Sequence, residues 1–229
     1  MSILNHYYVE SIKSKETHDW LLNKHYAKRI PPITYAFGIF DRTNCLQGVI
    51  TFGTPVSSTL RNLWHNQFKL MELNRLVVNE GLEKNVLSFF LSTSLKRLPN
   101  PLVLVSYADS SQNHHGYIYQ ATNWIYTGLS IPFKDVAVMG MENMHHSTIE
   151  DLARGRENKM ELLKKMFGDR LYRIDRPRKH RYFYLLGSKK EKREMNSMFP
   201  YKKMPYPKGD NKRYDSSYVP LNQEKLFNI

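Results

Sequence analysis

The chain has one cysteine, Cys45, in 229 residues, and no apolar run approaches the ~20 residues that a membrane-spanning helix needs. A single cysteine excludes an internal disulfide and a cysteine-rich zinc site, which fits a reducing compartment. The first residues show no charged segment followed by an apolar one, so we expect no signal peptide and a location in the cytoplasm.

Several common catalytic motifs are also missing. The sequence contains no GxxxxGK[ST] loop, GxSxG elbow, HExxH pair or CxxC pair, which argues against the enzyme classes built on them. Two adjacent histidines, His145 and His146, follow a glutamate, but consecutive side chains diverge in regular structure. We therefore predict no metal site.

Positive charge is abundant. Lys and Arg number 34 against 21 Asp and Glu, which gives a formal net charge of +13. Such an excess favours a polyanionic partner, and double-stranded DNA is the partner we expect, rather than a membrane surface. Hydrophobic residues make up 41% and aromatic residues 13% of the chain, enough for a folded core.

Apolar periodicity predicts an α/β fold in the order β-α-β-β-β-α-β-α-β. The predicted strands include 70–78 and 102–107, and the predicted helices include 16–26, 86–98 and 147–167. This order resembles the GNAT acetyltransferase superfamily. The resemblance implies a mixed, bent central sheet flanked by helices, in which the strands ending at Val78 and Tyr107 are neighbours that part at their carboxyl ends. We expect one GNAT-like catalytic domain over residues 1–199, with a helical insertion at about 141–168. A Pro-rich surface tail, 200–229, forms a basic C-terminal extension.

Polar groups crowd the segment 105–128, which follows a buried strand. Asp109 ends that strand, and Tyr119 lies on the short helix that comes next. Ligands bind at the carboxyl ends of strands in open α/β sheets, so Asp109 and Tyr119 are candidate catalytic residues. Arg75 stands in an apolar strand and needs an anionic partner or the sheet edge. The alternative is structural: Asp109 caps a helix and Tyr119 fills the core.

A second segment, 173–184, interleaves cations with aromatic residues. Its candidate DNA-binding residues are Arg173, Arg176, Arg178, Lys179 and Arg181. Phosphate contact with base stacking is one interpretation, and a solvated basic face is the other. Trp64, like Tyr26, either stacks on a DNA base or fills the core.

Several of these motifs together resemble the phage Mom family. They are His25-Tyr26, Glu72-Leu-Asn-Arg75, Ser106-Tyr-Ala-Asp109 with Gln112 and His114, Ile118-Tyr-Gln-Ala-Thr-Asn-Trp124, and Lys179-His-Arg-Tyr182. That family adds a carbamoylmethyl group to adenine N6 in DNA and so shields phage DNA from restriction. The resemblance implies six site residues: His25, Tyr26, Arg75, Ser94, Asp109 and Tyr119.

The chemistry of adenine modification suits these residue types. Asp109 can accept a proton, Arg75 can hold a donor carboxylate or phosphate, and Tyr119 can protonate a leaving group or orient the donor. The donor is a glycine-like or acyl group on a small molecule or carrier, with acetyl-CoA and an aminoacyl carrier both open. The GNAT pyrophosphate loop would fall near 83–88, where no glycine stands.

Two other functions remain open. One is a basic DNA-binding protein without catalysis, and the other is a GNAT-type acyltransferase acting on a protein or small molecule. A carboxylate among basic groups favours an enzyme, because a protein that only binds DNA has no use for a group that repels phosphate.

Overall fold

The computed structural model describes residues 6–64, 67–144 and 146–209 and the backbone of Gln223–Glu224. The chain folds into two compact units. Unit 1 takes in the chain up to Gly128 and from His180 onward, and unit 2 is Leu129–Lys179. Within the described ranges, no helix has the length and apolar character to cross a membrane.

Unit 1 is built on a large, mainly antiparallel sheet. Its strands are β1 (Tyr7–Ser11), β2 (Tyr35–Asp41), β3 (Cys45–Gly53), β4 (Leu70–Val78), β5 (Leu102–Asp109), β6 (Ile125–Leu129), β9 (Lys179–Leu186) and β10 (Gln223–Glu224). They lie in the order β1-β2-β3-β4-β5-β9-β6, with β10 paired to β3. The α-helices of this unit are α1 (Ser58–Arg61), α2 (Val86–Lys96), α3 (Tyr117–Ala121) and α6 (Lys189–Ser197). The predicted α/β class, a mixed sheet with flanking helices, is confirmed.

The strands β4 and β5 are neighbours, as predicted, and they run parallel. Their pairing covers only the start of each strand, from Leu70 opposite Val103 to Glu72 opposite Val105. Beyond that point β4 continues with β3 and β5 with β9. The predicted parting at the carboxyl ends is therefore present.

Alternating side chains of β5 enter two different cores. Leu104 and Ala108 pack in the cluster beneath α2, which also contains Phe90 and Tyr119. Val103 and Val105 pack in a cluster with Trp64 on the opposite face. The two clusters place α2 and α6 on opposite faces of the sheet, because Met195 of α6 belongs to the second one.

The segment 16–26 was predicted to be a helix. Its first part is wound more tightly than an α-helix, and its second part is wound more widely. It forms a 3-10 helix, Ser14–Thr17, and a π-helix, Trp20–Lys24. Trp20 and Leu21 are fully buried against Val49 and Val77 of the sheet, so packing rather than helix propensity fixes this segment.

Unit 2 pairs two strands, β7 (Phe133–Val138) and β8 (Leu171–Arg176), in an antiparallel sheet that the sequence analysis did not predict. The helices α4 (His146–Asp151) and α5 (Lys159–Phe167) pack on it around Val138, Ile149 and Leu163. The prediction of one helix over 147–167 is wrong. Gly155 and Asn158 adopt left-handed backbone conformations, with φ of 75° and 56°, and these interrupt a helix. The predicted insertion, about 141–168, falls within this unit.

Beyond β9, residues 201–207 follow unit 1 closely. The Met204 N–H donates to the carbonyl of Tyr126 at 2.9 Å, and the Tyr206 hydroxyl donates to that of Trp124 at 2.7 Å. The rest of the predicted basic tail, apart from the backbone of β10, lies outside the described residues, as does His145.

Trp64 belongs to the core. Its ring has no exposed surface, its Nε1 donates to the carbonyl of Met195 at 3.0 Å, and it packs on Phe183 and Phe199 with ring centroids 5.9 Å away. A ring buried on both faces cannot stack on a DNA base. Base stacking by Trp64 is therefore wrong, and the core-filling alternative is correct.

Trp64→Ala should lower the free energy of unfolding by about 3–5 kcal/mol, because it leaves a large cavity and an unpaired carbonyl. Urea unfolding followed by circular dichroism measures this. Tyr117→Ala, at a ring that is 67% exposed, is the control and should change stability by less than about 0.5 kcal/mol. If the Trp64→Ala protein were as stable as the parent but bound DNA more weakly, the Trp64 ring would contact DNA and its assignment to the core would be wrong.

Candidate active site

The parted strands β4 and β5 leave backbone groups that no neighbouring strand satisfies. Ser106 of β5 meets one of them, since its Oγ donates to the carbonyl of Leu73 at 2.8 Å. The Tyr119 hydroxyl lies 2.7 Å from the same Oγ. A serine hydroxyl carries one proton, and the Leu73 carbonyl can only accept, so Tyr119 donates to Ser106. A hydrogen-bonded chain thus runs from Tyr119 through Ser106 to β4.

Tyr119 is held rigidly. Its ring lies between those of Trp124 and Tyr182, each with a centroid distance of 5.1 Å, and only 7% of the residue is exposed. Burial raises the pKa of Tyr119 to about 12, and the charge of Glu72 acts in the same direction. The phenol therefore keeps its proton at neutral pH.

A β-bulge in β4 sets the direction of Arg75. Thr51 of β3 lies opposite Arg75 and Phe52 opposite Leu73, so Asn74 is an extra residue in the ladder. Leu73 faces the cluster beneath α2, whereas Arg75 reaches the other face. There its guanidinium donates to the carbonyls of Asn74 at 2.6 Å and Arg29 at 3.4 Å.

The segment after the π-helix brings His25 and Tyr26 to the same place. The His25 N–H donates to the carbonyl of Trp20 at 3.0 Å, which closes the wide last turn. The two rings stack at 4.4 Å; His25 is buried and Tyr26 is 37% exposed. Asn74 holds the following loop, since its Nδ2 donates to the carbonyl of Pro32 at 2.8 Å.

The pKa of Tyr26 reports which charges surround it. Burial raises this pKa most, the charge of Asp109 raises it further, and the charge of Arg75 lowers it. Tyr119 also adds to the rise. Tyr26 thus lies in the electrostatic field of Arg75, Asp109 and Tyr119, three other residues chosen from the sequence.

Asp109 has two roles in the structure. Its Oδ1 accepts hydrogen bonds from the Ser111 N–H at 3.0 Å and the Ser111 hydroxyl at 2.7 Å, so it caps the 3-10 helix Ser110–Gln112. It is 7% exposed, and its charge also acts on His114, whose pKa burial lowers and Asp109 partly restores. The carboxylate is therefore both a cap and part of the cleft.

Ser94 lies in the core, on α2, and not in the cleft. It lies on the buried side of α2 with no exposed surface, and in the described part of the chain its Oγ has no hydrogen-bond partner. A hydroxyl that a water molecule cannot touch is not open to a substrate, so Ser94 belongs to the helix core in this structure.

The predicted DNA-binding segment is divided between the two units at residue 179. In unit 2, Arg176 forms a two-pronged ion pair with Asp135 and lies over the Phe133 ring, and Arg178 donates to the carbonyl of Ser130 at 2.6 Å. Lys179 is half-buried, and Arg173 is exposed.

In unit 1, Arg181 donates to Thr127 Oγ1 at 2.9 Å and stacks on Tyr201 at 3.6 Å. Tyr182 and Phe183 are fully buried, so they offer no surface for stacking on bases. Three of the predicted arginines thus have internal partners that their sequence context did not indicate.

Sequence reasoning missed three residues that build the cleft: Ser106, Asn74 and His114. Ser106 links Tyr119 to β4, Asn74 joins the buried Thr51 hydroxyl to the Pro32 loop, and His114 lies in the field of Asp109. All three fall inside the motifs that carry the family resemblance. Their position in those motifs was the sequence feature by which they could have been identified.

A family model described as the Mom protein family matches residues 6–208. The methylcarbamoylase Mom of Escherichia phage Mu is 28% identical over 209 residues, which cover 87% of this chain and 83% of that protein.

Solved structures with a similar fold include two acetyltransferases. One is a GNAT-family acetyltransferase from Bacillus cereus, with 13% identity, a TM-score of 0.41, and coverage of 80% of this chain and 99% of that one. The other is a putative acetyltransferase from Salmonella typhimurium solved with its cofactor acetyl-CoA, with 11% identity, a TM-score of 0.43, and coverage of 80% and 95%.

The raised pKa of Tyr119 predicts a pH effect on stability. The folded protein keeps this proton up to about pH 12, whereas an unfolded tyrosine loses it near pH 10. The resulting stabilisation is complete below pH 10 and is lost as the pH rises toward 12. The Tyr119→Phe protein should therefore lose stability less steeply in this range, by at most about 1.4 kcal/mol per pH unit.

Urea unfolding at intervals between pH 9 and 11.5 measures the slope. Tyr117→Phe, on the exposed side of the same helix, controls for loss of a hydroxyl. Equal slopes for the parent and Tyr119→Phe would mean that the Tyr119 hydroxyl ionises as it does in water.

Proposed function

This chain belongs to the Mom protein family, and on that premise we propose that it is a phage transferase that adds a carbamoylmethyl group to adenine N6 in double-stranded DNA, protecting the DNA from restriction. One observation carries the proposal: Arg75 of β4, Asp109 at the end of β5, and Tyr119 all act electrostatically on Tyr26. A carboxylate, a guanidinium and a protonated phenol in one cleft can serve proton transfer as well as binding.

The transfer balances with two proton movements. Adenine N6 forms a bond to the methylene carbon of a carbamoylmethyl donor as the bond from that carbon to the leaving group breaks. One N6 proton passes to the Asp109 carboxylate, and the leaving group takes up a proton. Tyr119, protonated at neutral pH and held by Ser106, orients the donor or supplies that proton.

Arg75 holds the anionic part of the donor. The bulge at Asn74 turns its guanidinium toward the face where Tyr26 lies, and contacts with the carbonyls of Asn74 and Arg29 fix its position. A guanidinium that is positioned in advance loses little side-chain freedom when a carboxylate or phosphate binds.

The target base must leave the duplex to reach this cleft. Tyr26 offers a partly exposed ring that is stiffened by stacking on His25, so it suits contact with an extruded adenine. Arg173 is exposed, and Arg178 is exposed although two of its nitrogens donate to backbone carbonyls, so both remain proposed phosphate contacts. Arg176, Lys179 and Arg181 are also proposed to contact phosphate, although each already has contacts within the protein.

The residues present do not fit the pyrophosphate of an acyl-CoA. The loop from β4 to α2 carries Glu80 and Glu83, and Glu83 contacts His6 at 2.5 Å. Two carboxylates repel a pyrophosphate, and Asn85, not glycine, occupies the left-handed position before the helix. We therefore derive no step through acyl-CoA and propose a donor without that group.

Asp109→Asn should abolish adenine modification while the fold and DNA binding persist, because an amide keeps the cap but cannot accept the N6 proton. Tyr119→Phe should lower the rate by about two to four powers of ten. The measurement is mass spectrometry of nucleosides from plasmid DNA in cells that make each variant, with melting curves to verify folding.

Ser111→Ala is the matched control, since it removes the hydroxyl that donates to Asp109 but leaves the carboxylate and the backbone N–H of the cap. It should retain modification within a few-fold of the parent. A well-folded Asp109→Asn protein that modifies adenine as fast as the parent would make Asp109 a structural cap alone.

A further inference from the structure

The helix α6 is firmly built and basic. Ser188 and Glu191 form a reciprocal capping box at its start, and Met195 is buried against the core cluster of Trp64. Its remaining surface presents four exposed cations: Lys189, Lys190, Lys192 and Arg193. The helix is therefore a rigid element with its positive charge directed to solvent.

These four cations differ from the arginines of the segment 173–181. Arg176, Arg178 and Arg181 are each engaged by a carboxylate, a carbonyl or an aromatic ring of the protein. None of the four α6 side chains makes an ion pair or side-chain hydrogen bond with any residue in the described ranges. Unengaged cations keep their full capacity to contact phosphate.

A groove of about 410 Å³ runs beside α6. Lys192, Arg193 and Asn196 line its helix side, and Asn123 stands opposite. Its floor is largely apolar and is formed by Ile125 of β6 and the half-buried Tyr184 and Leu185 of β9. Cations and amides above an apolar floor match a sugar–phosphate backbone, which presents charged oxygens on one side and the carbons of deoxyribose on the other.

Arg181 of β9 is a further cation near the groove. It lies 5.9 Å from the ring of Phe183, which is buried beneath the groove, and it also stacks on Tyr201. Tyr107 of β5 lies in the field of Arg181 and Glu72 and is two residues from Asp109. Arg181 thus acts on a residue of the strand that ends at Asp109.

We propose that α6, with the groove beside it and Arg181, is the surface of unit 1 that contacts the phosphate backbone of duplex DNA. The inference rests on the proposed function, because DNA is the substrate assumed there. It adds a second contact surface to the one that the sequence predicted in the segment 173–181. The occupant is DNA backbone and not bases, so the contact should be independent of sequence.

The test is a charge-matched pair of triple variants of the full-length protein. Lys189→Ala, Lys192→Ala and Arg193→Ala together remove three charges from α6. Lys84→Ala, Lys96→Ala and Arg97→Ala together remove three exposed charges beside α2, on the opposite face of the sheet. Fluorescence anisotropy with a labelled duplex of about 20 base pairs, measured over a series of salt concentrations, gives affinity and salt dependence.

The α6 variant should bind at least about tenfold more weakly at low salt, and its salt slope should fall by about one for each phosphate that the helix no longer neutralises. The α2-side variant should stay within about threefold of the parent. Equal weakening in both variants would mean that only net charge matters and would overturn the inference, as would unchanged binding by a folded α6 variant.

Nucleoside mass spectrometry separates this inference from the proposed function. If the parent modifies adenine but the α6 variant binds DNA normally, the inference fails and the proposed function stands. If the parent binds DNA through α6 but never modifies adenine, the inference holds and the proposed function fails. A parent protein that binds no duplex at low salt would contradict both.

Discussion

The central constraint is the parting of two parallel strands after only three paired residues. Once β4 and β5 separate, their backbone groups need other partners, because a buried carbonyl left without a hydrogen bond costs stability. Ser106 satisfies the carbonyl of Leu73 and in turn accepts from Tyr119. A requirement of backbone hydrogen bonding therefore fixes the position of the Tyr119 phenol.

The bulge in β4 solves a second problem, that of facing a long cation away from the core. With regular alternation, Arg75 would share the face of Leu73 and enter the apolar cluster beneath α2. The extra residue, Asn74, turns Arg75 to the side where Tyr26 and Asp109 lie and also ties the Pro32 loop to the sheet. The site thus places charges of opposite sign, Arg75 and Asp109, in the field of a partly exposed ring, Tyr26.

The positive charges in the sequence did not show which cations contact other parts of the protein and which are available to bind DNA. Arg176 holds unit 2 together through Asp135, and Arg181 is packed on Tyr201, although their context of basic and aromatic residues is typical of nucleic-acid contact. The α6 lysines look like an ordinary solvated helix in sequence, yet they lie beside a groove and have no internal partner in the described residues. Burial and pairing, which depend on the whole fold, decide what a cation can bind.

The sequence by itself determined the order of the main strands of unit 1 and the placing of Asp109 and Tyr119 after a buried strand, because periodicity and motif spacing are local properties. The neighbouring of β4 and β5 was predicted from the resemblance to the GNAT superfamily and not from any local pattern. Only the tertiary structure decided the rest. Pairing of β7 with β8 joins segments more than thirty residues apart in sequence, which no local pattern encodes. Likewise, the burial of Trp64 and Ser94 and the link from Ser106 to Leu73 depend on which faces meet when distant segments pack.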